Sequence, residues 1–116
     1  MLRRVTGQAI ELRVGAPPPL GAPAAGQVFR IAQEALQNAL RHAGAERIEV
    51  RLEDGGGRLV LSVADDGAGF DVGAAGVRGR RLGLNSMQER ATELGGQLVI
   101  ESRRTEGTTV RLEVRA

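Results

Sequence analysis

The sequence predicts an α+β domain of two layers, a mixed and mostly antiparallel sheet covered on one face by helices. Three observations predict it. Apolar residues alternate with period two in residues 8 to 14, 48 to 52 and 108 to 114, form a more continuous apolar run in 59 to 64, and recur with period 3.6 in two other stretches. These stretches follow in the order strand, helix, hairpin, helix, hairpin, which departs from the strict alternation that builds a parallel sheet. At 116 residues the chain holds one core, and therefore one domain over 1–116.

In residues 8 to 14, Ile10, Leu12 and Val14 alternate with Glu11 and Arg13, as in a strand with one buried face. The stretch from Gly15 to Gly26 carries Pro17-Pro18-Pro19 and Pro23 and reads as a stiff, non-helical connector. Residues 28 to 43 form an amphipathic helix. Val28, Ala32, Ala35, Leu36, Ala39 and Ala43 make its apolar face, with Arg30, Gln33, Gln37 and Arg41 opposite and Gly44 placed to cap its end. Ile48, Val50 and Leu52 alternate again. Asp54-Gly55-Gly56-Gly57 is a turn, and Leu59 to Ala64 returns as a strand apolar enough to be central. From Asp71 to Leu82 the glycines 73, 76 and 79 and the scarcity of core residues indicate a loop long enough to suspect a function. Leu84, Met87, Ala91 and Leu94 mark a second amphipathic helix closed by Gly95-Gly96, and the strands Gln97 to Ser102 and Thr108 to Val114 complete the chain.

Composition removes several function classes. The absence of cysteine excludes disulfides, thiolate metal sites and cysteine nucleophiles, and a single histidine argues against a histidine-built metal centre. All 16 basic residues are arginine, so the calculated pI is 10.8 although the net charge is only +2. The arginines are dispersed among 14 acids, and Phe29 and Phe70 are the sole aromatics, so neither a basic run nor a stacking platform for nucleic acid is present. Without lysine there can be no P-loop and no lysine of the eukaryotic protein-kinase type. No stretch approaches the roughly 18 apolar residues needed to span a bilayer, and the N-terminus lacks the order of a secretion signal. A cytoplasmic domain without direct membrane contact is expected.

Three places carry residues suited to chemistry. Glu34, Asn38 and His42 are spaced i, i+4, i+8, so a carboxylate, an amide oxygen and an imidazole form one stripe along the border of the helix's apolar face. Asp65-Asp66-Gly67-Ala68-Gly69 closes a strand, where an aspartate can accept a hydrogen bond from an exocyclic amine while glycines let a ligand approach the backbone. Taken alone, this motif reads equally well as a strand-to-loop turn. Gly79 to Met87 is a glycine-containing loop that opens into a helix, a setting that favours phosphate. Arg78, Arg80 and Arg81 there could add forked donors or form a solvated basic loop. Gly107-Thr108-Thr109 opens the last strand, where a threonine hydroxyl either backs the aspartate or is an ordinary strand residue.

In this order the pieces resemble the ATP-binding fold shared by bacterial sensor histidine kinases, gyrase B and MutL-type proteins. Glu34 to His42 looks like the N box, Asp66 to Gly69 the first glycine box, Gly83-Leu84 the second, and Gly107-Thr108 the closing threonine motif. The phrases from Gln33 to Ala43 and from Gly83 to Ala91 are similar to histidine kinases that partner NarL/LuxR-type response regulators. The resemblance covers residues 10 to 115 or so. It implies ATP and Mg²⁺ as ligands, with Asn38 giving an oxygen to the cation and Glu34 orienting or deprotonating the nucleophile or a water. It implies that Asp66 reads the adenine amine, with Gly67, Gly69, Gly83, Leu84 and Thr108 around the nucleotide, and that 71–82 is an ATP lid. His42 and Arg81 would stand near the phosphates, although the direction of His42 also suits a core histidine. Arg81 occupies the middle glycine of the family's Gly-x-Gly-Leu-Gly-Leu pattern, which bears on the lid's phosphate contacts.

Nothing in the sequence resembles the dimerising helical hairpin on which this family phosphorylates a histidine. The resemblance therefore implies a catalytic and ATP-binding domain, monomeric on its own, that donates the γ-phosphoryl to a histidine on a separate dimerisation domain for relay to a response-regulator aspartate. It would not autophosphorylate alone. Two alternatives stand beside it: an anti-sigma-type serine kinase of the same fold, and a nucleotide-binding interaction module without transfer activity.

Overall fold

The computed structural model describes residues 2–5, 8–41, 44–69, 84–103 and 105–115. Six strands, β1 (Leu2–Val5), β2 (Gln8–Val14), β3 (Arg47–Asp54), β4 (Arg58–Asp65), β5 (Gln97–Arg103) and β6 (Gly107–Arg115), form one sheet in the order β1-β2-β3-β4-β6-β5. Only β2 and β3 run parallel; the other neighbours are antiparallel. Helices α1 (Ala22–Arg41) and α2 (Leu84–Glu93) pack on each other and on one face of this sheet, α1 over β4 and α2 beside β5. The two-layer α+β expectation holds, with β1 as an additional edge strand.

Register arranges the covered face in rows. Ile10, Ile48, Asp65, Thr108 and Ser102 are successive partners across β2, β3, β4, β6 and β5. Two residues further along each strand lies the row Leu12, Val50, Val63, Val110, Ile100, and beyond it the row Val14, Leu52, Leu61, Leu112, Leu98. Because strand side chains alternate faces, every member of a row points to the same side. That side is the core, where Leu59, Leu61, Val63, Val110, Leu112 and Val114 are buried against Val28, Ile31, Ala35 and Ala39 of α1 and Met87 and Ala91 of α2. The two inner rows are apolar throughout, whereas the terminal row becomes polar over β4, β6 and β5.

Helix α1 begins at Ala22, inside the segment expected to be a non-helical connector. Pro23 occupies its second position, where a missing N–H costs nothing because the first-turn donors have no intrahelical acceptor. The Ala25 amide already bonds the Gly21 carbonyl at 2.9 Å. The buried face of α1 is centred on Ile31, which is fully enclosed, with Val28, Ala35 and Ala39 beside it and Ala32, Leu36 and Leu40 partly buried. Phe29, by contrast, is 64% exposed. Ala43 of the expected apolar face lies outside the described residues.

Helix α2 ends as Gly95-Gly96 required. The Gly95 amide bonds Thr92 O at 3.0 Å and the Gly96 amide bonds Ala91 O at 2.9 Å, with Gly95 at φ +65. This is a Schellman closure, which satisfies two orphan carbonyls at a left-handed residue. Arg90 Nη1 donates to Gln27 Oε1 at 2.7 Å, and the Gln27 amide donates to Glu93, joining the start of α1 to the end of α2. The helices are therefore antiparallel neighbours.

Candidate functional site

Connectivity brings three element ends to the polar end of the sheet. Helix α1 leads through Gly44, at φ +61, into the start of β3 within a few residues, so its last turns lie where β3 begins and β4 ends. Gln8 at the head of β2 donates to the Leu40 carbonyl at 3.5 Å, and the Ala9 amide bonds Glu46 O at 2.9 Å, fixing the same corner. Helix α2 is antiparallel to α1, so its N-terminus at Leu84 faces this end while its C-terminus faces the other. Glu34 and Asn38, one turn apart in the second half of α1, are half-buried.

Asp65 is the half-buried carboxylate of that row. Its Oδ1 accepts from the Gly67 amide at 2.8 Å, and its carboxylate also accepts from the Thr108 amide. Burial pushes the Asp65 carboxyl above the ordinary aspartate range. The Gly67 and Thr108 amides oppose that rise, and the neighbouring charge of Asp66 adds to it. A carboxylate held by backbone donors, yet costly to ionise without a ligand, is suited to accept from a positively polarised amine.

Asp66 has a different task. It is exposed, and its Oδ1 accepts from the Glu46 and Arg47 amides, both at 2.9 Å, tying the end of β4 to the segment that enters β3. Asp66, the residue expected to read adenine, thus has one carboxylate oxygen engaged by backbone amides, and Asp65 is the aspartate whose register places it in the row on the helix-covered face. The signal was available in the sequence: Leu59, Leu61, Val63 and Asp65 share one parity, whereas Asp66 has the other.

The glycines of the motif serve close approach. Gly69 has φ +65, and a Cβ there would land on the Arg103 carbonyl oxygen. Gly107 has φ +82, and a Cβ there would strike the Asp65 carbonyl oxygen. The Ala68 carbonyl accepts from the Thr105 amide at 2.5 Å. The loop after β4 and the β5–β6 turn are therefore one packed unit. Gly67 is buried, with its amide used on Asp65, and Leu84 is buried at the head of α2. Thr108 is half-buried beside Asp65, 2.8 Å from the Ser102 hydroxyl. His42, Arg81, Gly83 and the expected lid 71–82 lie outside the described residues.

This fold and this corner define a class. Residues 24–116 match the family described as "Histidine kinase-, DNA gyrase B-, and HSP90-like ATPase". The chain belongs to that family. Among individual proteins it is 46% identical over 84 residues to the sensor histidine kinase MctS of Rhizobium johnstonii, covering 72% of this chain and 18% of MctS. It is 41% identical over 87 residues to the sensor histidine kinase LiaS of Bacillus subtilis, covering 75% of this chain and 24% of LiaS. The chain thus spans about a fifth of these relatives' length.

Solved structures agree on the architecture. The histidine kinase domain of the blue-light-activated kinase EL346 of Erythrobacter litoralis superposes with a TM-score of 0.74 at 25% identity, covering 90% of this chain and 54% of that one. Full-length ShkA in complex with AMPPNP shares the fold, with a TM-score of 0.68 at 21% identity over 90% of this chain and 25% of that one.

Proposed function

We propose that the chain binds ATP–Mg²⁺ at the polar end of the sheet and is the catalytic domain of a two-component sensor kinase. The reading rests on one observation: the last turns of α1, the first turn of α2 and the Asp65–Thr108 row meet at one end of one face. Membership of the ATPase family supports the nucleotide, and ShkA, of the same fold, binds a nucleotide analogue. In this reading Asp65, in place of Asp66, accepts from the adenine 6-amino group, with Thr108 beside it. Gly67 and Gly69 keep the base-side loop close to the β5–β6 turn. Leu84 opens α2, and His42, Arg81 and Gly83 stand on the phosphate side.

The donor set fits Mg²⁺ as a companion of phosphates. Among the described residues there is no group of three or more His, Cys, Asp and Glu that could hold a metal alone. Asn38 would add one neutral oxygen to a hard cation that takes its other ligands from phosphates and water. Mg²⁺ when bound supplies charge neutralisation of the phosphates.

Phosphoryl transfer is mainly positioning and charge stabilisation. The bond between the γ-phosphorus and the bridging oxygen breaks, a bond forms to an acceptor imidazole nitrogen, and ADP leaves. Glu34, one turn before Asn38, orients that imidazole and takes its proton. The acceptor histidine belongs to a separate dimerisation domain of the parent kinase. Relay runs to a response-regulator aspartate, of the NarL/LuxR type given the phrases around the N box and at the head of α2. No helix among the described residues is long and apolar enough to cross a membrane.

Calorimetry with ADP tests the site, and supplying a histidine-bearing hairpin domain in trans with labelled ATP tests the transfer. Label on the hairpin histidine, lost in Asn38→Ala while metal-free ADP still binds, is the expected result. ADP binding without transfer would leave a nucleotide-binding interaction module and end the kinase reading.

A further inference from the structure

The helix layer stops short of one side of the sheet. Helix α1 lies over β4 and α2 beside β5, while β2 and β3 carry the apolar rows onward with Leu12 beside Val50 and Val14 beside Leu52. There the covered face opens into a groove of about 280 Å³, and every residue that lines it is apolar. Of the four large apolar residues exposed among the described residues, Leu12 (41%), Val14 (59%) and Phe29 (64%) line this groove, and only Val99 lies elsewhere. Exposed apolar surface gathered in one place marks an interaction site, whereas scattered single residues do not. Helix α1 supplies one wall. Its Ile31, Ala35 and Ala39 are buried in the core, and Ala25, Phe29 and Ala32, spaced i, i+4, i+7, form a second stripe along the groove. The alanines on either side of Phe29 permit a neighbouring helix to approach closely. The floor restricts what can lie there. β2 is hydrogen-bonded to β1 on one side and to β3 on the other, so the groove offers side chains and no free strand edge. An occupant has to satisfy its own backbone, as a helix does.

We propose that this groove seats an amphipathic helix of the parent polypeptide, one that leads into β1 and sets apolar residues against Leu12, Val14 and Phe29. Two observations select this occupant. MctS and LiaS are matched over only 18% and 24% of their length, so the same domain sits within much longer polypeptides in these relatives. Strand β1 pairs with β2 so that Leu2 stands opposite Glu11, the neighbour of Leu12, and runs from there to Val5 opposite Gln8 at the polar end. Chain entering β1 therefore arrives beside the groove, and a short connection suffices. A helix there completes the layer over β2 and β3 with α1 as its neighbour. The inference rests on the reading of the chain as one domain of a longer kinase, and not on nucleotide binding.

The chain has no cysteine, so one introduced thiol reports on its own surroundings. Val14→Cys and Ala25→Cys, on two walls of the groove, are labelled with a maleimide in the 116-residue chain and in the same chain extended by its natural upstream residues, any cysteine there being changed to serine. Extension should slow labelling at both positions about tenfold or more, because access then requires local opening, and should leave Val99→Cys, on the other face of the sheet, within about twofold. Adding Phe29→Asp, a change at an exposed position, should restore fast labelling in the extended chain while the melting temperature of the 116-residue chain stays the same. Equal labelling of the short and extended chains overturns the proposal, as does an upstream sequence without an amphipathic helical stretch. Protection that appears in the 116-residue chain and grows with its concentration assigns the groove to a second copy and overturns it too. ADP calorimetry on the same samples keeps the readings apart: protection by extension without ADP binding supports this inference and strikes the nucleotide reading alone.

Discussion

β4 ends at Asp65, whose register places it in the row that ends in Thr108 and Ser102, while Asp66 stands just beyond the strand. Asp65 shares parity with the buried Leu61 and Val63, and Asp66 reaches instead for the Glu46 and Arg47 amides. The two should separate cleanly on mutation. Asp65→Ala should weaken ADP binding by about 1.5–3 kcal/mol, the cost of a hydrogen bond to a charged group, as read by calorimetry. Asp66→Ala should lower the unfolding temperature through the two freed amides while ADP affinity falls much less. The reverse outcome would restore Asp66 to the site. The raised Asp65 carboxyl gives a second reading. A folded carboxyl that protonates more readily than the unfolded one makes the native state bind more protons between the ordinary value of 3.8 and its raised value. Stability contributed there is present in acid and is lost as pH rises through that window. Amine recognition needs the ionised form, so ADP binding should strengthen over the same interval. Paired melting and binding curves of wild type and Asp65→Asn measure both, and a variant with unchanged slopes would contradict the assignment.

At the scale of elements, what the sequence made legible was what periodicity and end signals encode. Five strands, two helices and the Gly95-Gly96 stop follow directly from alternation, the 3.6 period and glycine placement. The start of α1 does not, because four prolines speak against helix across Gly15 to Gly26, whereas Pro23 falls in the first turn, where its ring costs no hydrogen bond. Strand β1 carries two adjacent arginines in its four residues, Leu2–Val5, too short a run for alternation to register. The pairing of Ser102 with Thr108 is not legible either, because it depends on how the last hairpin turns. Gly95 tests the end-signal argument. Gly95→Ala forces a Cβ into the left-handed region and should cost about 1 kcal/mol in denaturant unfolding. Pro23→Ala should stay within about 0.5 kcal/mol, since only a first-turn orphan is affected. Equal losses for the two would show that the helix ends are held by something other than their caps.

Across the whole molecule the sheet has a dry end and a wet end. The far end carries the Asp54–Arg58 turn, the Gly95-Gly96 closure and an apolar groove of about 280 Å³ that includes Leu12, Val14 and Phe29. The near end gathers every described residue assigned to nucleotide. Ligand that binds only the folded chain adds stability by mass action, about 2.7 kcal/mol at a hundredfold excess over Kd, but local opening responds only where contacts are made. Hydrogen exchange with saturating ADP should therefore slow amides at 44–47, 65–69 and 105–109 and in the first turn of α2. The tip amides of Gly55 and Gly57, which open locally at the opposite end, should exchange at unchanged rates. Protection concentrated on the far tip and the apolar groove would move the ligand to the other end of the sheet. It would also separate the Asp65–Thr108 row from nucleotide, because no single ligand of nucleotide size covers both ends of a sheet in which β2 to β6 run seven to nine residues, or more than about 20 Å, between them.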